Sequence, residues 1–451
     1  MKYITTTCPD GQPVSREGAA AFHADESNQE RYVLNLYPEV TFQTLKGFGG
    51  AFTEAAGYVF SRLPAKKQEE LLAAYFGKDG LSYTLGRASI DSCDFSLGHY
   101  SAVDDPEDTG LSTFSLARDE EYVLPLLKRA QALEPRLQMM LSPWSPPAFM
   151  KTNGQRNGGG KLIPAFWNTW ARYLCRYVKE YEKQQIPVFA LSVQNEPNAV
   201  QTWDSCLYSP EEERSFLRDE LAPEMKRSGL EKVALTVWDH NKERLFDRTA
   251  YLCADQEANK AIGAVGYHWY SGDHFEAVDL VSRMFPDKML IFTEGCIEYS
   301  RLEKDSAMQH AQMYAHEIIG GLNAGMHAFL DWNLCLDLTG GPNHAGNYCD
   351  APVMADLETG ELHYHLSYYY LGHFSRYIKP GAKRIGFTRY TDALEGTAFQ
   401  NPDGGLACVI VNRQDEAQEC FLRLQGRLCQ VELPGKSIQT MLIDKNEYGN
   451  V

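Results

Sequence analysis

Two glutamates stand directly after apolar runs: Glu196 follows VFALSVQN and precedes Pro197, and Glu294 follows MLIFT and precedes Gly295. A carboxylate in that position is held by a rigid strand yet faces the strand's outlet. Other runs end alike: Asp91 and Asp94 follow SYTLGRASI, Trp144 follows LQMMLS, and Asp239 and His240 follow VALTVW. His268, Trp269 and Tyr270 end another, and Asp331, Trp332 and Asn333 end the last. Carboxylates, amides and flat rings are the mixture a sugar needs, for its hydroxyls and its C–H faces. A lone strand-end glutamate is more often simply solvated. Two of them, each amid aromatic residues, have the composition that glycosidic cleavage requires, where one carboxyl protonates the leaving oxygen and the other attacks or activates water.

The elements that must position these groups can be read from the hydrophobic period. Eight short apolar runs, 47–53, 82–90, 137–142, 188–194, 233–238, 264–269, 289–293 and 327–332, alternate with amphipathic stretches such as 116–133, 164–184, 210–228 and 305–323. In FWNTWARYLCRYVKEYEKQQ the apolar residues recur every three or four positions, the mark of a helix that buries one face. SPEEE at 209–213 opens another with a Ser cap, a Pro and acidic first-turn residues. The alternation predicts an α/β fold, a (β/α)8 TIM barrel whose reactive groups sit at the C-terminal strand ends. A doubly wound open sheet shares the rhythm but normally carries a Gly-rich phosphate turn, and neither GxGxxG nor GxxxxGK[ST] occurs. Residues 383–444 instead read as short alternating strands separated by turns, and 30–45 alternate too. The expected organisation is an all-β sandwich domain formed from both chain ends: an N-terminal β segment at 1–46, the catalytic barrel at 47–375, and the C-terminal β-sandwich at 376–451. The aromatic run 367–374 reads as the helix that closes the barrel.

The chain has 451 residues, 44% hydrophobic and 12% aromatic, which excludes a disordered chain. The 43 basic and 60 acidic residues give a net charge of −17. Such a surface repels nucleic acid and anionic lipid, so the expected partner is a small neutral or cationic molecule, with no stable membrane association. No apolar stretch approaches the ~20 residues of a membrane helix, and the N-terminus lacks the apolar core of a signal peptide. Eleven scattered cysteines without a CxxC pair read as reduced thiols, so a cytoplasmic location is expected. His363 and His365 share a strand face but have no third ligand in sequence. With no HExxH either, no metal and no cofactor is expected. Cys296 reads as a small buried residue.

GFGGAFTEAAGYVF, ASIDSCDFSLGHYS, LSPWSPPAFMKTNG, NEP, HWY, FTEGC and DWNLCLDLTGGPNHAGN together resemble glycoside hydrolase family 30, in its glucosylceramidase and β-1,6-glucanase branch rather than its xylanase branch. The resemblance implies that Glu196 is the general acid/base and Glu294 the nucleophile of a retaining double displacement. Asn195 would hold the sugar 2-hydroxyl, Asp94 the hydroxyls at the far ring edge, and Trp144, Trp332 and Asn347 would line the pocket. Tyr270 would hydrogen-bond the nucleophile, with His268 beside it, and Arg87 would back the carboxylates. Glu196 would then keep its proton near the working pH, and Glu294 its charge beside donors.

The sequence departs from the mammalian lysosomal members of that branch in having no Asn-x-Ser/Thr site and a different loop, NAVQTWDSCLYSP, after Glu196. Where those enzymes carry a second acid after strand five, this chain has Asp239-His240. Trp203 in that loop reads either as an aglycone contact or as a loop anchor. The function expected is a retaining exo-β-glycosidase of β-D-glucosides, with a β-glucoside, β-1,6-gluco-oligosaccharide or glucosylceramide-type substrate. The alternatives are a β-xylosidase or β-fucosidase, an endo-β-1,6-glucanase, and a catalytically silent carbohydrate-binding protein. The last would have lost one of the two glutamates, and both are present.

Overall fold

A computed structural model describes residues 1–302 and 304–448. Eight parallel strands close into a barrel: β1 (Gly47–Ala51), β2 (Leu85–Ile90), β3 (Gln138–Pro143), β4 (Val188–Ser192), β5 (Ala234–Asn241), β6 (Ile262–His268), β7 (Met289–Glu294) and β8 (Ala328–Asn333), with β8 hydrogen-bonded back to β1. Each overlaps one of the eight runs read from the sequence. They are almost wholly buried because helices cover the outside and side chains fill the inside, so they read as continuous apolar runs.

The differences lie at element ends. Thr53 has left β1, and its hydroxyl accepts from the Ala56 amide and donates to Asn333, capping helix Glu54–Arg62. The expected 116–133 helix breaks at Tyr122 into Ala117–Glu121 and Val123–Leu133. Helix Pro210–Phe216 starts on the Ser209–Glu212 capping box. Helix Trp167–Lys183 turns Tyr173, Tyr177 and Tyr181 inward, where their hydroxyls hold the buried Asp91 and Asp119. β5 runs three residues past its expected end because Trp238 and Asp239 adopt left-handed conformations (φ 68° and 51°), and the pairing with β6 slips there from Gly266–Trp238 to Tyr267–His240. Such a bulge re-aims a side chain. Gly266 makes room for it, since a Cβ there would lie 3.2 Å from Asp239 Oδ1 and 2.9 Å from Thr293 Cγ2.

The second domain is one ten-stranded sheet. It takes Lys2–Thr7, Val14–Ala19, His23–Ala24 and Val33–Thr44 from the N-terminal part, and six strands between Lys383 and Ile443 from the C-terminal part. It folds over its own apolar core, in which Leu34 and Leu36 meet Cys408, Ile410, Leu422 and Met441. Lys2–Thr7 pairs directly with Ser437–Ile443, so the barrel is enclosed in sequence by the sheet that braces it. Helix Leu366–Ser375 joins the two domains: buried His373 sits between the Thr440 and Thr6 hydroxyls, 2.8 Å from each. Burial holds that imidazole down to about 3, so it is neutral and one ring nitrogen donates while the other accepts. Among the described residues no helix is long and apolar enough to cross a membrane.

Candidate active site

At the C-terminal strand ends a pocket of about 640 Å³, counted to its open mouth, is walled by Asp94, Trp144, Asn195, Glu196, Trp203, Tyr270, Glu294, Trp332 and Asn347. All nine were named from the sequence. Arg87 and His268, also named, are fully buried beneath them and do not reach the wall.

Arg87, from β2, organises the floor. Its Nη1 donates to Glu294 Oε2 (2.6 Å), its Nη2 to Asn195 Oδ1 (2.8 Å) and to Asp239 Oδ2 (3.0 Å), and its Nε to Ser142 Oγ (3.2 Å). The guanidinium lies 4.7 Å from the Trp144 ring centroid and 5.6 Å from that of Trp332, and the two indoles are stacked at 5.3 Å. One cation thereby fixes a carboxylate, an amide and two rings, a rigidity that only the five-donor fork provides. Asp239, brought inward by the bulge, also accepts from Ser192 Oγ (2.7 Å) and Ser142 Oγ (3.2 Å). Burial alone would raise its carboxyl, but the charges of Arg87 and His268 and these hydrogen bonds hold it well below the usual carboxylate range.

The two glutamates differ in their partners. Glu294 receives Arg87 on Oε2 and the Tyr270 hydroxyl on Oε1 (3.0 Å). Burial pushes it up; His268 and Arg87 oppose this, Glu196 adds to it, and the net direction is upward. Glu196 is held at φ 47°, a left-handed conformation uncommon for a side-chain-bearing residue and found where the surroundings over-determine the backbone. Its Oε1 faces His268 Nδ1 (3.1 Å) and His240 Nδ1 (3.6 Å), while His268 Nε2 faces Asp239 (3.2 Å). Burial would lower His268, but the carboxylates of Glu294, Asp239 and Glu196 override it and push the ring up to about 9. Burial would raise Glu196, and the His268 hydrogen bond and the His240 and His268 charges outweigh that, so it lies below its ordinary value. In the ligand-free site that direction runs against the expectation that Glu196 keeps its proton. The site favours a proton on His268, because that ring has a carboxylate on each side, with Glu196 Oε1 3.1 Å from Nδ1.

Asp94, at the other side, is pushed up to about 8, first by burial and then by the charge of Glu294, with Asn347 Nδ2 donating to it at 3.1 Å. Trp203 packs against the cluster that holds both stacked indoles. Sequence reasoning gave no role to His240, Asn241, Gln201, Glu298 or Cys349, which also line the pocket. Nor did it give one to Ser142, Ser192 or Asp239 beneath. Asp239 was visible as a strand end, but nothing in the sequence marks the bulge that turns it inward. Cys296 is buried, as read from the sequence, and also borders the pocket, with its sulfur 3.1 Å from that of Cys349 and 3.5 Å from the Tyr270 hydroxyl. His365 lies just past strand Leu362–Tyr364, which holds His363, and pairs with Asp350.

Paired strand-borne glutamates in a tryptophan-walled pocket on a (β/α)8 barrel define a glycoside hydrolase. Residues 45–378 match the glycosyl hydrolase family 30 TIM-barrel domain and residues 381–441 the family 30 beta sandwich domain. The chain belongs to glycosyl hydrolase family 30. It is 33% identical over 402 residues to the lysosomal acid glucosylceramidase of Mus musculus, covering 85% of this chain and 78% of that protein. Its structure superimposes on SrfJ from Salmonella typhimurium with a TM-score of 0.94 at 40% identity, covering 98% and 100% of the two chains. The endo-β1,6-glucanase BT3312 gives a TM-score of 0.88 at 27% identity, covering 98% and 99%.

Proposed function

We propose that the protein is a retaining exo-β-glycosidase that hydrolyses β-D-glucosides by double displacement. The observation that carries this reading is the unequal setting of the two glutamates: Glu294 faces two fixed donors, Arg87 and Tyr270, whereas Glu196 faces the His268 imidazole. Glu294 attacks the anomeric carbon, and its charge is spread over a guanidinium and a phenol that do not move during the step. Glu196 protonates the departing oxygen. In the free site two bases, Arg87 and His268, stand against three carboxyl groups, Asp239, Glu294 and Glu196, an excess of one potential negative charge. A sugar ring that displaces water makes that charge more costly, so glycone binding favours proton uptake on Glu196 and arms it as the acid. After the glycosyl-enzyme forms, Glu196 takes a proton from the attacking water and Glu294 leaves. With its Oδ1 held by Arg87, Asn195 presents its amide nitrogen to the 2-hydroxyl. Asp94 and Asn347 bind hydroxyls at the far edge, and the stacked indoles face the ring.

A second reading, endo-acting β-1,6-glucanase, is favoured by the similarity to BT3312. The hydrogen-bonded Asp94–Asn347 pair, placed to take the far-edge hydroxyls of one terminal sugar, supports the exo reading over it. A proton NMR time course on gentiobiose and an aryl β-glucoside tests both. Initial release of β-glucose is expected. α-Glucose appearing first would overturn the double displacement, and oligosaccharides from β-1,6-glucan with gentiobiose left intact would replace exo by endo action.

A further inference from the structure

Beside the pocket, three side chains from three separate loops converge: His99 after β2, Asp204 after β4 and His344 after β8. Asp204 Oδ1 is taken by Arg156 Nε (2.6 Å) and Ser92 Oγ (2.9 Å). Its Oδ2 faces His99 Nδ1 at 3.1 Å and His344 Nε2 at 3.6 Å. The His344 tautomer follows from its other nitrogen. Nδ1 lies 3.1 Å from the Ser96 carbonyl oxygen, which can only accept, so Nδ1 carries the hydrogen. In the tautomer that this bond selects, Nε2 is a bare lone pair. That atom is buried and has no hydrogen-bond partner among the described residues. A lone pair aimed at a carboxylate oxygen is repulsive unless a cation lies between them.

The charge and spacing agree. Arg156 is shared by Asp204 and Asp91, so that group retains excess negative charge. Ligands about 2.0–2.2 Å from a tetrahedral zinc ion stand roughly 3.3–3.6 Å apart, and the two measured separations bracket that range. A backbone carbonyl on the far nitrogen of a ligating histidine is the usual orienting arrangement. His99, with its side chain 42% exposed, leaves the fourth position open to water.

We propose that His99, Asp204 and His344 bind a borderline transition-metal dication, with zinc as the type, pinning the three loops that also carry Asp94, Trp203 and Asn347 into the pocket. The ion takes His344 Nε2, one oxygen of Asp204, and His99 Nδ1, whose hydrogen moves to Nε2 of the same ring. The bland reading is a His99–Asp204 hydrogen bond with no ion. The cluster is invisible in the sequence because its members are more than a hundred residues apart.

The test is calorimetric titration of the chelator-treated protein with zinc chloride, alongside thermal unfolding with and without the metal. One equivalent bound at micromolar concentration and a rise in unfolding temperature are expected. His99→Ala, at an exposed position, should weaken binding at least about tenfold and remove the zinc-dependent rise while leaving metal-free activity unchanged. His344→Ala should do the same to binding, and His99→Ala suffices should that variant misfold. Glu196→Gln separates the other possible cluster, Glu196, His240 and His268. Zinc binding that survives in Glu196→Gln and is lost in His99→Ala supports the rim site. No wild-type binding below millimolar zinc, binding unchanged by His99→Ala, or binding lost only in Glu196→Gln would each overturn it.

Discussion

Inside the barrel, Leu85, Met140, Phe189, Ala190, Ala264, Ile291, Ala328 and Leu330 form one apolar cluster. Two residues further along the same faces of β2, β3 and β4 stand Arg87, Ser142 and Ser192, all in the ionic floor of the pocket. One step of the strand period thus separates a layer that stabilises from a layer that works. The lower layer needs only volume and apolar surface. The upper layer buries charge, which costs several kcal/mol per ion and is tolerated only because nearly every donor and acceptor is matched. Active-site groups here are therefore expensive to alter singly, and core groups are expensive only in stability.

The sharpest break of that contrast is Glu294→Gln. It should lower kcat by roughly four orders of magnitude, about 5.5 kcal/mol of barrier, while the circular dichroism spectrum is retained. Glu196→Gln should cost roughly 10²–10⁴-fold on gentiobiose and far less on aryl glucosides with good leaving groups; equal losses on both would remove its role as acid. Arg87→Met spans both categories. It takes the buried guanidinium from Asp239 and Glu294, leaving Asp239 only His268 and two serine hydroxyls, so denaturant unfolding should show a loss of about 3–5 kcal/mol, with kcat down roughly 10²–10³-fold. In the lower layer, Leu330→Ala should cost about 2–5 kcal/mol of stability, yet the folded fraction should turn over within about twofold of wild type. The smallest effect concerns pH. His268, at about 9 in the fold against 6.5 in the unfolded chain, contributes stability that is complete below pH 6.5 and lost as pH rises through about 9. Asp94 and Asp331, raised from 3.8 to about 8 by burial, act in the same direction. Melting temperatures should therefore decline between pH 6.5 and 9, and Glu294→Gln should decline less steeply, because it removes the charge that helps to raise both His268 and Asp94.

How much of this was legible depended on the range of the interaction. The eight strands, the capped helix at Ser209 and the strand-end glutamates are local patterns and could be read directly. Asp239's role could not, because it depends on a one-residue slip between β5 and β6 and on Gly266 making room for it. The upward shift of His268 was also hidden, since it requires knowing that two carboxylates from other strands flank one ring. The short strands Val14–Ala19 and His23–Ala24 are largely exposed and carry little hydrophobic alternation, so no period betrays them.

The pairing of Lys2–Thr7 with Ser437–Ile443 has a consequence for how the protein is made. As a ribosome extends the chain, Lys2–Thr7 can pair with Val14–Ala19, but Val33–Thr44 emerges with no partner strand, and the sheet cannot close until more than three hundred further residues have followed. At ~5–20 residues per second that wait is on the order of half a minute. The barrel, contiguous in sequence, can assemble during that interval, while Val33–Thr44 trails unpaired with its edges open to other chains. The exposed Tyr37, Val40 and Phe42 make that strand the place where a chaperone, or a second nascent copy, has longest to act.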